Sequence, residues 1–170
     1  KKLSLVFMTT AGNKTREMVQ TYLKDQWKAV GVEVLIKNEP ARVFFGDTLT
    51  HRKFGAMAMY AWTSSPESSP RPNFHSSQIQ TEKNGWSGQN NMAWSNPKVD
   101  EILDQIDVEF NFKKRVSLAH QFLKYYTDEV PVIPLYYRAD TAVTQKNIKN
   151  FNLMGHQFAE SNEVENWIIE

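Results

Sequence analysis

The sequence predicts an α/β fold, and three observations carry that expectation. Residues 3–36 read as strand, helix, strand, an order that favours a parallel pair joined by a right-handed crossover. The run 54–62, containing Ala-Met-Ala-Met-Tyr-Ala-Trp, has no charge after Phe54 and reads as a strand covered on both faces. Beyond residue 96 the apolar residues recur at helical spacing in two successive stretches.

Taken in order, residues 3–8 are short and apolar and predict a buried strand. Gly12 and Asn13 then punctuate, with Asn13 suited to cap a helix. Val19, Tyr22, Leu23, Trp27 and Val30 share one face of that helix, and Gly31 stands where a residue tolerating positive φ is needed. Val32, Val34 and Ile36 form a β-branched run. Pro40 opens a second helix, expected over 40–52 with Val43, Phe44 and Leu49 as its apolar side.

Residues 63–96 break the pattern. They hold eight Ser, five Asn, three Pro and two Gly and show no period. A loop of that length in a compact domain is usually functional or disordered. Phe74, Trp86 and Trp94 argue for order. Asn96-Pro97 then starts a helix bearing Val99, Ile102, Leu103, Ile106 and Phe110, and Asn111 caps a second one bearing Val116, Ala119, Phe122, Leu123 and Tyr126. Residues 131–137 are expected to be a short strand with 140–145 as its neighbour, and 148–154 an edge. The chain opens without Met inside a strand-like run, which reads as a start within a longer fold.

Composition narrows the function classes. The 170 residues are 41% hydrophobic and 23% charged, with a formal net charge of +1. No basic stripe suggests a nucleic-acid reader, and no apolar run approaches a membrane span. The absence of cysteine excludes disulfides, thiol nucleophiles and thiolate metal sites. His51, His75, His120 and His156 include no pair at the spacing of a helical metal site, so no metal or cofactor is expected. Neither a nucleophile elbow nor a phosphate loop is present. Asp100, Asp104 and Asp107 recur at helical spacing and read as a solvated face.

What remains is a recognition surface. Trp62 ends a strand, and in open α/β sheets ligands bind outside strand ends. The loop behind it adds His75, Trp86, Gln89 and Asn90, and Arg138 lies after the run 131–137. Flat rings supply contact area, amides supply paired donors and acceptors, and a guanidinium can hold a carboxylate bidentately. For each aromatic, anchoring the loop to the core is the competing role, and for Arg138 a structural ion pair.

The order of segments resembles the C-terminal lobe of the family 5 extracellular solute-binding proteins, which serve dipeptide, oligopeptide and nickel ABC importers. The resemblance rests on "AVGVEV" (29–34), "FGAMAMYAW" (54–62), "NMAWSNPKVDEIL" (91–103), "KKR" (113–115) and "DEVPVIPLYYR" (128–138) in sequence. It implies a type II periplasmic-binding-protein-like lobe, a mixed sheet flanked by helices, spanning 1–155. Residues 156–170 would form a tail returning to the N-terminal lobe of the same parent chain. It further implies a binding module rather than an enzyme, exported to the periplasm or cell surface, enclosing a small organic solute, peptide-like or otherwise, and docking on an ABC permease. In peptide binders of the family an aspartate shortly after the strand-ending Trp pairs with the peptide α-amine. Ser65 stands at that place here, which puts a free-amine peptide in doubt. Two other readings stay open: a serine- or metal-dependent hydrolase using the 63–96 loop, and a protein-interaction module docking through that loop.

Overall fold

The structure, a computed structural model, describes residues 3–63, 65, 68–137, 139–154 and 160–170, without the side chains of 160 and 162. Two compact units divide the chain: residues 1–61 with 69–132, and residues 62–68 with 133–170.

In the first unit β1 (Leu3–Met8), α1 (Lys14–Ala29) and β2 (Val32–Ile36) follow in the expected strand, helix, strand order, with β1 and β2 parallel and Leu3 opposite Val32. The Asn13 side chain accepts the Arg16 backbone N–H, capping α1. At its far end Gly31 sits at φ +85, with its N–H donating to the Lys28 carbonyl. β3 (Met57–Ala58) pairs parallel on the other side of β1, giving the order β2-β1-β3. This strand is far shorter than the apolar run 54–62, because only its middle meets the backbone of β1.

The pleat then sorts the side chains. Phe7, Val34 and Met59 pack beneath Val19, Leu23 and Trp27 of α1. Met8, Phe44 and Leu49 form the core of the opposite face with Val6, Phe54, Ala58 and Tyr60. The helix expected over 40–52 begins as α2 (Ala41–Val43) and widens into a π-helix, Phe44–Leu49. Phe44, Thr48 and Leu49 of that stretch are buried, so the wide turn turns three residues inward.

The polar stretch before residue 97 is ordered by short helices: α3 (Arg71–Phe74) and two 3₁₀ turns, Ser76–Gln78 and Glu82–Asn84. α4 (Pro97–Val108) and α5 (Phe112–Glu129) follow, each capped by its asparagine as the sequence predicts. Val99, Ile102, Leu103, Ile106 and Phe122 make their shared core. Phe74 and Trp94 of the polar stretch pack into it beside Phe122 and Tyr126, with ring centroids 5.4–6.3 Å apart. α5 stops at Val130, a β-branched residue at φ 48 and ψ 55, immediately before Pro131.

In the second unit β4 (Ile148–Lys149) pairs antiparallel with β5 (Ile168–Ile169). Phe151 packs on Trp167 at 5.3 Å, and Asn150 donates to the Asn166 carbonyl. Ile168 and Ile169 remain exposed. Parallel and antiparallel pairings are thus both present, in separate ladders. The strands expected at 131–137 and 140–145 do not form among the described residues, and the edge at 148–154 contracts to two residues. Pro131 and Pro134 bring no N–H to a ladder, and the residues between them find no partner strand.

Candidate functional site

The carboxyl ends of β1, β2 and β3 are where an open parallel sheet presents a ligand surface. Deep at that edge the polar groups are already matched. Thr9 donates its hydroxyl to the Met59 carbonyl at 2.7 Å and its N–H to Asn38 Oδ1 at 3.1 Å. Fully buried Gln20 donates to the Phe7 carbonyl and exchanges two hydrogen bonds with Asn38 at 2.9 Å. This closed network holds the strand ends in register, since buried donors without partners are costly.

Above it stands an aromatic rim. Phe44, Phe45 and Tyr60 meet edge to face at 5.2–6.4 Å, and Phe45 is 42% exposed. The Tyr60 hydroxyl accepts from Asn91 Nδ2 at 2.7 Å, which ties the polar stretch to the sheet edge. Gln80 Nε2 donates to Asn91 Oδ1 and to the Gly88 carbonyl, and Arg52 Nε donates to the Gln80 carbonyl. Sequence reasoning did not single out Phe45 or Tyr60. The alternation of Met57 and Met59 against Ala58 and Tyr60 was the available signal, because it sends Tyr60 to the face opposite α1.

The structure distributes the residues named from sequence. Asn90 is fully buried: it donates to the carbonyls of His75 (3.1 Å) and Trp94 (2.8 Å) and accepts the Trp94 N–H (3.1 Å). His75 is also buried and is joined to Asn90 by that bond. Its Nδ1 accepts the Ser77 N–H at 3.0 Å, which leaves the proton of a neutral ring on Nε2. Nε2 lies 3.4 Å from Asp104 Oδ1, within ion-pair reach but not aligned as a hydrogen bond. Trp86, half-buried at φ 61, packs edge-on against His51 at 4.8 Å. Gln89 is exposed, and its carbonyl accepts the Asn91 N–H. Trp62 (51% exposed) and Ser65 belong to the second unit, where Ser65 bonds Ser68 through both its N–H and its hydroxyl. Arg138 and His156 lie outside the described residues.

One expectation is overturned. Asp100, Asp104 and Asp107 are not simply a solvated face; they are the seam along which the polar stretch is held to α4. Asp100 accepts from the N–H and hydroxyl of Ser76. Asp104 accepts from Arg71 Nε at 3.0 Å, and Asp107 accepts from Ser69 and lies 3.6 Å from Arg71. The Arg71 hydrogen bond holds the Asp104 carboxyl below the usual carboxylate range; partial desolvation opposes this and the field of His75 adds to it. The other end of the stretch is clamped by Glu129, which accepts from Trp94 Nε1 and Asn96 Nδ2.

For hydrolysis, a serine hydroxyl would have to reach a base. Among the described residues no serine hydroxyl bonds His75, and Ser76 donates its own to Asp100. No group of three or more metal-ligating side chains occurs among the described residues. A shallow groove of about 240 Å³ between α4 and α5 is lined by Gln105, Glu109, Lys114, Ser117, Leu118 and Gln121, and none of the residues named from sequence contributes to it.

No family model matches the chain. A stretch of 74 residues is 35% identical to the oligopeptide-binding protein OppA of Bacillus subtilis, covering 44% of this chain and 13% of that protein. The oligopeptide-binding protein of Thermus thermophilus, solved with a pentapeptide, matches 88% of this chain at a TM-score of 0.80 and 28% identity. AppA of Bacillus subtilis, solved with a nonapeptide, matches 100% of it at 0.75 and 20% identity. NikZ of Campylobacter jejuni, solved with Ni(L-His), matches 98% at 0.72 and 18%; at the last two identities the likeness shows the fold. The chain spans 26%, 32% and 33% of these three structures. These relatives are binding proteins. In sequence and fold the chain is similar to a part of the family 5 solute-binding proteins of peptide and nickel ABC importers, with their type II periplasmic-binding fold.

Proposed function

We infer that this chain is the C-terminal lobe of an exported solute-binding protein, and that it encloses a small organic solute against the N-terminal lobe of the same parent. The observation that carries this reading is the match to the Thermus thermophilus oligopeptide-binding protein across 88% of the chain. Residues 1–155 would make the lobe and 156–170 a tail returning to its partner lobe. An ABC permease would receive the closed form and carry the solute across the membrane. No described helix of this chain is long and apolar enough to cross one.

Within this reading the roles follow the geometry. Exposed Trp62 supplies contact surface in the second unit; in the first, Trp86 with neighbouring Gln89 does so, and Phe45 and Tyr60 stand at its sheet edge. Buried His75 and Asn90 act as positioning residues that hold the polar stretch in shape. Arg138 would meet a carboxylate. Ser65 offers a neutral hydroxyl, engaged with Ser68, where an amine-binding carboxylate would stand. The solute is therefore peptide-like without a free α-amine, or another neutral or anionic organic molecule.

The test is native mass spectrometry of the solute retained by the intact protein, followed by titration of Trp62→Ala. An aromatic hot spot predicts a loss of about 2 kcal/mol in binding, roughly thirtyfold. Unchanged affinity would remove Trp62 from the surface. An intact protein that retains no solute and does not compact on adding peptides would remove the reading itself.

A further inference from the structure

The turn joining α4 to α5 presents apolar side chains that no core explains. Val108, Phe110 and Phe112 are 71%, 97% and 69% exposed. The presentation is built rather than loose. Glu109 and Asn111 are both in extended conformation, and Phe110 between them stands almost wholly in solvent. The Glu109 carboxylate accepts the Asn111 N–H at 2.7 Å, and the Asn111 side chain accepts the Lys114 N–H. Local hydrogen bonds thus fix the backbone while the rings stand in water.

The charges beside them run against the helix. The first turn of α5 has no acidic residue, although the N-terminal end of a helix dipole favours one. Lys113 and Lys114 are exposed there, with Arg115 next in sequence. Of the nearby carboxylates, Asp107 is engaged by Ser69 and Arg71, and Glu109 caps the turn. Rings at the tip and cations as a collar compose a convex peg. A fluid interface accepts such a peg without a preformed socket: apolar groups enter the acyl boundary while cations stay among phosphates.

We propose that the α4–α5 turn is a peripheral membrane contact, inserting Phe110 and Phe112 into an anionic phospholipid surface that Lys113 and Lys114 recognise. This goes beyond the solute reading and does not depend on it. Solute titration reports on one and vesicle binding on the other.

The experiment is co-sedimentation of the intact protein with vesicles of phosphatidylcholine, alone or mixed with phosphatidylglycerol. Binding to the mixed vesicles only is expected, lost when salt rises from about 0.1 M to about 1 M and the screening length falls from about 10 Å to about 3 Å. Lys113→Gln/Lys114→Gln should weaken binding about thirtyfold, and Phe110→Ser/Phe112→Ser by about tenfold or more. Circular dichroism checks folding; should the phenylalanine variant fail to fold, the lysine variant decides alone. No binding to mixed vesicles overturns the proposal, as does binding unchanged in the variants. So does a variant that loses permease stimulation while neither it nor wild type binds vesicles, which would make the peg a protein contact.

Discussion

Replacing Asn90 with Ala tests the account of the polar stretch more directly than any surface change. The side chain is fully buried, donates to two carbonyls and accepts one backbone N–H. Alanine removes all three bonds and leaves the carbonyls of His75 and Trp94 and the Trp94 N–H without this partner. At about 1 kcal/mol net per hydrogen bond the loss is about 3 kcal/mol, rising to about 5 kcal/mol if the orphaned groups stay dry. In urea, with a slope of about 2 kcal/mol per molar, the midpoint should fall by about 1.5 M. Tryptophan fluorescence, to which Trp86 and Trp94 contribute with the other three tryptophans, follows the unfolding, and hydrogen exchange should show lost protection at Trp94. A midpoint shift below about 0.5 M, with that amide still protected, would refute the reasoning: the amide would then not be holding the stretch together.

Other expectations follow from the same geometry. Asp104 has a depressed folded pKa, so it contributes stability that is present above its unfolded value near pH 4 and lost as pH falls through the lower folded value. Asp104→Asn should flatten that part of the acid-unfolding curve and leave the region above about pH 6 nearly parallel to wild type; an unchanged acid limb would count against the Arg71 contact. Gly88 sits at φ +119, and a Cβ there would fall 2.1 Å from the Gln78 carbonyl oxygen. Gly88→Ala should therefore destabilise by about 2 kcal/mol or more in thermal or urea unfolding, and a neutral result would show that the backbone can move aside. Tyr60→Phe deletes the acceptor for buried Asn91 and should cost about 1–2 kcal/mol, read by the same unfolding assay.

Local signals in the sequence carried a long way. Asn13, Asn96 and Asn111 each cap the helix that follows them, and Gly31 takes the positive φ that ends the first turn-back. The strand, helix, strand order of 3–36 formed with its strands in parallel register, because period and caps are written within one element. What covers a face is not so written. Asp100, Asp104 and Asp107 have the spacing of a solvent-facing stripe, yet their hydrogen-bond partners Ser76, Arg71 and Ser69 lie 24–38 residues upstream. No periodicity identifies such partners. The run 131–145 failed for a related reason: β-branched and aromatic residues mark strand preference, but a strand also needs a neighbour. For the site, exposure could not be read from residue type. Asn90 and Gln89 are chemically alike and adjacent, and only one of them faces water.

Val130 has a consequence for how the chain departs from its last long helix. Pro131 bars the preceding residue from ordinary helical geometry, and valine answers by adopting a left-handed conformation that suits glycine better. The strain is of the order of 1 kcal/mol or more and exists only in the native state. Glycine at this position would relieve it, but would also let the outgoing backbone swivel. The valine thus trades a fraction of thermal resistance for a narrower range of backbone conformations at the helix exit.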